Sequence, residues 1–313
     1  MSSEKKAIDL IMVGAGPAAL AAAIYTTRED IETVLIEKAI PGGLAAVTDW
    51  VDNYPGFPKG ISGLDLAENL RAQAERFGAQ IEMGEVTGIK RQGKHVAVET
   101  TDGTKLARAV LIATGTDWKK IGVPGEQEFY ARGVHYCATC DGAFYRDKKL
   151  VVVGGGNSAV QEALFLTRFA SHIDLLVRST FKASDVLLHE LEKNKKITVH
   201  LGTTTDEIVG ENGKVNKVIG THKGKKVEFE TDGVFVFVGL KPNTQFLKNS
   251  SIDLDEIGFI KTNAKLESSI PGVFVAGDVR HGATMQIASA VGEGATAALH
   301  IREYLEGTPQ PSY

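Results

Sequence analysis

The chain contains two cysteines, in the stretch Cys137-Ala138-Thr139-Cys140-Asp141. Two thiols at this spacing can cycle between dithiol and disulfide, and a neighbouring carboxylate such as Asp141 can exchange protons with sulfur. A zinc site would need four ligands. The sequence has no third cysteine, and His135 alone would not complete such a set, so we expect redox chemistry and no metal. The alternatives are a pair of inert core thiols and an Asp141 that serves only as a turn residue.

Two glycine-rich turns are the second feature with chemical meaning, and the first is Gly14-Ala15-Gly16-Pro17-Ala18-Ala19. It follows the apolar run 7–13 and precedes a helical pattern, and the next strand, 33–36, ends at Glu37. Strand, glycine turn, helix, strand and acidic residue together are typical of a dinucleotide-binding unit. Gly14 permits the tight turn, Gly16 lets backbone approach a pyrophosphate, and Glu37 can accept hydrogen bonds from ribose hydroxyls.

The same unit occurs again after the cysteines. The apolar run 149–153 leads into Gly154-Gly155-Gly156-Asn157-Ser158-Ala159, and the following strand, 173–177, ends at Arg178. A guanidinium can pair with a 2′-phosphate, whereas a carboxylate such as Glu37 would repel it. We therefore expect the two halves to bind different nucleotides, with Lys182 as a second cationic contact in the second half.

The order of these patterns predicts an α/β fold with two Rossmann-like dinucleotide-binding domains, each in three layers (ββα). The stretches 118–124 and 241–243 are typical of linkers, and about 70 residues after the second linker are few for an independent domain. We therefore predict that the second domain, 118–243, is inserted into a first domain formed by 1–117 and 244–313. Residues 63–77 and 286–305 predict helices of the first domain.

Composition narrows the range of partners. Of the 313 residues, 43% are hydrophobic and 24% are charged, with a net charge of −4 and no basic stripe. Nucleic acid is therefore not an expected partner. The apolar runs are shorter than a membrane span, and Met1–Lys6 has no signal-peptide pattern, so we expect no membrane association and a cytoplasmic location.

Across nearly the whole chain these motifs resemble the low-molecular-weight, bacterial-type thioredoxin reductases, class II pyridine nucleotide-disulfide oxidoreductases. The stretches that carry the resemblance are Gly14–Ala19, Asn53-Tyr54-Pro55-Gly56, Ala113-Thr114-Gly115, Cys137–Gly142, Gly154–Ala159, Gly277-Asp278-Val279 and Gln286. The resemblance implies a homodimer that passes electrons from NADPH through FAD and the dithiol to thioredoxin. It also implies that the first domain binds FAD, that the second carries NADPH and the dithiol, and that the linkers act as hinges.

The resemblance assigns roles to individual residues. Cys140 would face the flavin, Cys137 would attack the disulfide of thioredoxin, and Asp141 would move protons; we interpret His135 as structural. The implied FAD contacts are Gly14, Gly16, Pro17, Ala18, Glu37, Lys38, Gly42, Gly43, Leu44, Asn53, Val86, Ala113, Thr114, Gly115, Gly277, Asp278, Met285, Gln286 and Ile287. The implied NADPH contacts are Gly154, Gly156, Asn157, Ser158, Arg178, Ser179 and Lys182.

Three positions depart from the family pattern. Leu44 stands where the family usually has Gln, Met285 where it often has Arg, and Ser179 where a second Arg is usual. The first two lie at expected flavin contacts, and the third reduces the charge available for a 2′-phosphate. Alternatives are therefore a related flavoprotein that uses NADH or a non-nicotinamide donor, a small-molecule dithiol oxidase, and a nucleotide-sensing protein with a regulatory dithiol.

Overall fold

A computed structural model describes residues 7–48 and 50–307. The chain forms two compact units: the first comprises the described residues up to Asp117 and from Lys241 onward, and the second comprises Trp118–Leu240. The α-helices are α1 (Pro17–Thr27), α2 (Gly43–Ala46), α3 (Gly63–Arg76), α4 (Ala138–Asp141), α5 (Asn157–Leu166), α6 (Asp185–Lys193) and α7 (Ile287–Glu306), and 3₁₀ turns span Gly142–Tyr145 and Gln245–Leu247. The strands are β1 (Ile8–Val13), β2 (Thr33–Glu37), β3 (Trp50–Val51), β4 (Ile61–Ser62), β5 (Gln80–Met83), β6 (Val86–Gln92), β7 (His95–Thr100), β8 (Gly103–Ile112), β9 (Thr116–Trp118), β10 (Val134–His135), β11 (Lys149–Val153), β12 (His172–Val177), β13 (Ile197–Leu201), β14 (Thr203–Glu211), β15 (Lys214–His222), β16 (Lys225–Glu230), β17 (Gly233–Val236), β18 (Leu240–Pro242) and β19 (Val273–Val275).

The first unit is built on a sheet with the strand order β5-β2-β1-β8-β7-β6, and β19 also pairs with β8. β5, β2, β1, β8 and β19 run parallel, while β7 and β6 continue from β8 as antiparallel strands. Val13 at the end of β1 pairs with Ile36 on β2 and with Ile112 on β8. The carboxyl ends of these three strands therefore lie side by side, at the edge where α/β sheets bind ligands.

Apolar clusters cover both faces of this sheet. One contains residues of α1, α3 and α7, and the other contains Ile89, Val96 and Val98 of the antiparallel strands. α7 packs closely on α1 because Gly294 has no side chain: a methyl group there would lie 2.1 Å from the Ala18 carbonyl oxygen. This contact fixes the position of α1, which begins at the first glycine turn.

The second unit has a five-stranded parallel sheet in the order β10-β17-β11-β12-β13 and a three-stranded antiparallel sheet, β14-β15-β16. One apolar cluster joins the parallel sheet to α5 and α6. A second cluster joins its other face to Ile208, Val215 and Val218 of the antiparallel sheet. The unit is thus layered as sheet, sheet and helix, and β11, the second glycine turn, α5 and β12 repeat the order seen in the first unit.

Most predicted elements are present with small shifts in their ends. The helix predicted over 63–77 is α3, which begins where the Ser62 hydroxyl accepts the Asp65 N–H at 3.0 Å. The helix that follows the second glycine turn is α5, which ends at Leu166. Two short strands overlap the stretches predicted as linkers: β9 ends at Trp118, where the first linker begins, and β18 includes Lys241 and Pro242 of the second. None of the helices within residues 7–48 and 50–307 combines the length and the hydropathy of a membrane span.

Candidate active site

The first glycine turn joins β1 to α1. Gly14 has φ +97°, and a methyl group on it would lie 2.7 Å from the Ala113 carbonyl oxygen, so both conformation and space require glycine. Gly16 precedes α1 in an extended conformation, and among the described residues no side chain caps the helix there. Pro17 fills the first helical position, where a missing N–H costs nothing, and Ala18 follows. The uncapped N–H groups of α1 can therefore bind an anionic group such as a pyrophosphate.

Glu37, at the end of β2, binds the glycine turn itself. Its Oε2 accepts the Ala15 N–H at 2.7 Å and its Oε1 accepts the Ala39 N–H at 2.8 Å. The side chain is buried, and its neighbour Lys38 is exposed. Each carboxylate oxygen can accept a second hydrogen bond, so Glu37 can shape the turn and still bind a ribose hydroxyl.

The loop before α2 lies over this turn. Gly42 donates its N–H to the Ala15 carbonyl at 2.7 Å. The position for a methyl group on Gly43 is 3.5 Å from Gly16 Cα, an ordinary van der Waals contact, so the Gly42-Gly43 backbone packs directly on the turn. Leu44, the first departure from the family pattern, is half-buried in α2.

The loop after β8 is held by a residue that the sequence did not single out. Asn243 accepts the Thr114 hydroxyl at 2.8 Å through its carbonyl, and its Nδ2 donates to the Thr114 carbonyl at 3.1 Å. Its N–H donates to the Gly115 carbonyl at 3.1 Å. Val86 lies in the same apolar cluster as Val13 and Ile112, behind the strand ends.

The N-terminus of α7 brings two distant predicted residues together. Gln286 precedes the helix, which starts at Ile287, and its Oε1 accepts the Asn53 Nδ2 at 3.0 Å. Met285 adopts φ +55°, a left-handed conformation that is uncommon outside glycine. Nothing in the structure explains why methionine occupies this position.

The loop after β19 carries the remaining predicted FAD contacts. Gly277 donates its N–H to Glu293 Oε2 at 2.9 Å, and Arg280 forms an ion pair with the same carboxylate at 2.5 Å. Burial, together with the negative charge of Glu293, raises the pKa of Asp278 to about 6. Since hydrogen-bond donors stabilise a buried carboxylate, Asp278 is suited to accept them from a polar ligand.

The second glycine turn has the same construction. Gly154 has φ +147°, and a methyl group on it would lie 2.3 Å from the Phe237 carbonyl oxygen. Gly156 precedes α5, and among the described residues no side chain caps that helix. Of the described atoms outside its chain neighbours, none comes within 4 Å of where a methyl group on Gly156 would lie, so a ligand can approach closely.

The predicted phosphate-binding residues lie around this turn. Lys182 donates its backbone N–H to the Gly155 carbonyl at 2.7 Å, and Asn157 Oδ1 accepts the Ser184 N–H at 2.8 Å. Arg178 is exposed at the end of β12, and within the described part of the chain it has no ion-pair partner. Three further predicted contacts are also exposed: Ser158, Ser179 and Lys182. The side chains of Arg178 and Lys182 are thus available to an anionic ligand.

The dithiol begins a short helix that was not predicted. Cys137 and Cys140 form a disulfide across α4, with a Cα–Cα distance of 5.3 Å, and both residues are half-buried. Cys137 Sγ accepts the Cys140 N–H at 3.2 Å, and the Asp141 N–H donates to the Cys137 carbonyl at 3.2 Å. In the described residues, no three His, Cys, Asp or Glu side chains are grouped to hold a metal ion.

A row of hydrogen-bonded polar side chains adjoins the dithiol, with His135 buried and Asp141 and Tyr145 half-buried. His135 Nδ1 is 3.1 Å from Asp141 Oδ2, and His135 Nε2 is 2.6 Å from the Tyr145 hydroxyl. Burial and the charge of Asp141 raise the pKa of Tyr145. From the sequence alone we interpret His135 as structural, and its closeness to the cysteines along the chain is the one sequence signal for this contact.

Comparison with known proteins gives consistent results. The family model described as pyridine nucleotide-disulphide oxidoreductase matches residues 8–294. The chain is 43% identical over 307 residues to thioredoxin reductase of Bacillus subtilis (strain 168), covering 97% of this chain and 96% of that protein. It is similar to the crystal structure of thioredoxin reductase from Streptococcus pyogenes MGAS5005, with a TM-score of 0.92, 39% identity, and coverage of 96% and 98% of the two chains. Thioredoxin reductase from Giardia duodenalis is similar too, with a TM-score of 0.91, 31% identity, and coverage of 96% and 100%.

Proposed function

Since the chain belongs to the pyridine nucleotide-disulphide oxidoreductase family, we propose that it is an FAD-dependent thioredoxin reductase that uses NADPH. This function agrees with the resemblance of its motifs and with the names of its relatives. The observation that carries the proposal is the Cys137–Cys140 disulfide, next to Asp141, in the unit that also contains the second glycine turn. A redox pair and a dinucleotide-binding turn in one unit are the parts that this reaction needs.

The first unit has groups that could bind each part of FAD. Gly14 and Gly16 leave room for a pyrophosphate at the uncapped start of α1, and Glu37 offers carboxylate oxygens to a ribose. Gln286 and Asp278 are polar groups held on the same unit for the rest of the cofactor. When bound, FAD supplies a carrier that takes two electrons from a nicotinamide and passes them to a disulfide.

The second unit fits NADPH by the same argument. Gly154 and Gly156 form the turn, and Arg178 and Lys182 supply positive charge for a 2′-phosphate. Ser179 in place of a cation favours a second candidate, a reductase with a modest preference for NADPH over NADH. We propose that the domains have the boundaries expected from the sequence, 1–117 with 244–313 for FAD and 118–243 for NADPH.

The dithiol transfers electrons to the protein substrate by disulfide exchange. The Cys137 thiolate attacks one sulfur of the thioredoxin disulfide, which forms a mixed disulfide and releases the other sulfur as a thiolate that takes up a proton. The Cys140 thiolate then attacks Cys137 sulfur, so that the Cys137–Cys140 disulfide reforms and the second thioredoxin thiol leaves. The Cys140 N–H, 3.2 Å from Cys137 Sγ, can stabilise negative charge on the attacking sulfur. Asp141 exchanges the protons, and Cys140 is the sulfur that faces the flavin.

The assembly and location follow from the same proposal. A homodimer is supported by the family resemblance and by exposed apolar side chains in the first unit, among them Ile40, Leu64 and Met83, each about 60% exposed. A reducing cytoplasm is supported by a cysteine content that is limited to the redox pair. Sedimentation equilibrium of the flavin-loaded protein tests the dimer.

Steady-state kinetics test the function. The purified protein should be yellow, and NADPH oxidation coupled to reduction of the small disulfide reagent DTNB should depend on added thioredoxin. Equal turnover without thioredoxin would contradict thioredoxin as the substrate. Stable flavin absorbance on addition of NADPH or NADH would favour another electron donor, a small-molecule dithiol oxidase or a nucleotide-sensing protein.

A further inference from the structure

His135 contacts two polar groups with its two ring nitrogens. Nε2 is 2.6 Å from the Tyr145 hydroxyl, and Nδ1 is 3.1 Å from Asp141 Oδ2. A carboxylate only accepts hydrogen bonds, so Nδ1 makes a favourable contact only when it carries the proton. In neutral imidazole Nε2 must then accept, and the Tyr145 hydroxyl is the donor that it needs. The two partners therefore select the Nδ1–H tautomer.

The packing holds this arrangement in place. His135 is 8% exposed, and its ring stacks on Phe235 with a centroid distance of 5.1 Å. His135 and Phe235 are register partners on β10 and β17. The Tyr145 ring meets His135 edge-on and lies against Gly233, where a methyl group would come within 2.4 Å of that ring. Neither ring can turn without displacing its neighbour, so the donor at Nδ1 is fixed in direction.

We propose that His135 is the positioning residue for Asp141, with Tyr145 setting its tautomer; this rests on the acid–base function proposed for Asp141. The Nδ1–H group holds Oδ2 of the carboxylate and leaves Oδ1 to exchange protons with the thiols. Asp141 directly follows Cys140, at the end of a four-residue helix, where its side chain would otherwise have several rotamers. Electron and proton balance is unchanged, because His135 neither gains nor loses a proton overall.

The test measures disulfide exchange without turnover of the flavin. Flavin-loaded protein in the disulfide form is mixed anaerobically with reduced thioredoxin, and the thiols are trapped by alkylation and counted by mass spectrometry. Loss of a hydrogen bond to a charged group predicts exchange about 10- to 100-fold slower in His135→Ala. His135→Asn, whose amide can donate near the Nδ1 position, should recover most of the rate. NADPH-driven bleaching of the flavin should keep its wild-type rate in both variants.

Tyr145→Phe provides a second arm that keeps the ring packing. Without the hydroxyl, Nε2 has no donor, so exchange should slow about 3- to 10-fold. Long-range ¹H–¹⁵N spectra of histidine-labelled protein should show the Nδ1–H tautomer for His135 in the wild type and a shifted tautomer balance in Tyr145→Phe. This arm remains decisive if His135→Ala fails to fold.

The outcomes separate this proposal from the one on which it rests. Wild-type exchange in His135→Ala or in Tyr145→Phe, or an Nε2–H tautomer in the wild type, would overturn the positioning role. Wild-type exchange in Asp141→Asn would instead overturn the acid–base function itself. If Asp141 is the acid–base residue and His135 positions it, His135→Ala should add little to the defect of Asp141→Asn, because the two residues act as one unit.

Discussion

The two glycine turns can be tested as a matched pair. Gly14→Ala and Gly154→Ala each place a methyl group against a carbonyl oxygen, at 2.7 Å from Ala113 and 2.3 Å from Phe237. Each substitution also forces a side chain into a conformation with positive φ, +97° and +147°. If the first unit binds FAD and the second NADPH, Gly14→Ala should lose flavin, and Gly154→Ala should keep flavin but lose affinity for NADPH.

The magnitude follows from two costs. A non-glycine residue at positive φ costs about 1–2 kcal/mol, and overpacking against rigid backbone adds about 1–3 kcal/mol. If the total cost of about 2–5 kcal/mol applies to the conformation of the turn that binds the ligand, affinity for the ligand falls about 30-fold or more, because 1.4 kcal/mol corresponds to a factor of ten. The shorter contact predicts the larger effect for Gly154.

The assay needs two ligands and two controls. Flavin content is read from the visible absorbance of the purified protein, and affinity for NADP⁺ is read by titration calorimetry. Gly93→Ala and Gly224→Ala are matched controls, because their φ values are +61° and +77° and, among the described residues, nothing approaches their methyl positions within 4 Å. Flavin loss in Gly154→Ala, or weak NADP⁺ binding with full flavin content in Gly14→Ala, would refute the assignment of the two units.

Two further changes have defined outcomes. Arg178→Ala should raise the KM for NADPH about 10- to 150-fold and leave the KM for NADH nearly unchanged. Lys182→Ala should act in the same direction but less strongly. Equal losses with both coenzymes would contradict the 2′-phosphate assignment. Asp278 has its pKa raised to about 6, above the value of about 4 in unfolded chains, so its folded carboxyl binds protons more readily. The free energy of unfolding of flavin-free protein should therefore fall by about 3 kcal/mol as the pH rises from about 4 to above 6. Asp278→Asn should remove most of this fall, as measured by urea titrations at several pH values. Parallel pH profiles of the wild type and Asp278→Asn would contradict this role for Asp278.

The local parts of the fold were predictable from sequence. Strand, glycine turn and helix follow one another along the chain, and the residues that define them, such as Gly14 and Gly154, act through their own backbone conformation and close neighbours. Glu37 at the end of β2 and Arg178 directly after β12 also lie at the strand ends where the sequence predicts them. Glu37 nevertheless bonds to the N–H groups of Ala15 and Ala39, which a sequence pattern for ribose binding does not contain.

Contacts between distant segments were not predictable. Asn243 holds Thr114 across a long stretch of chain, and the family motif contains only one of the two residues. The row of hydrogen-bonded side chains from Tyr145 through His135 to Asp141 depends on packing against Phe235 and Gly233. Both residues lie on β17, a strand that follows the antiparallel sheet in sequence. Apart from its closeness to the cysteines along the chain, His135 gives no sequence signal of its partners without that tertiary packing.

In the proposed reaction, Cys137 attacks the disulfide of thioredoxin and Cys140 resolves the product, and the identity of the linked sulfur tests this most directly. Cys140→Ser removes the resolving sulfur, so this variant, mixed with oxidised thioredoxin, should accumulate a mixed disulfide. Peptide mapping by mass spectrometry should place the link at Cys137, and Cys137→Ser should give little or none. A link that forms through Cys140 with equal or greater yield, or no link in either variant, would contradict the proposed electron path.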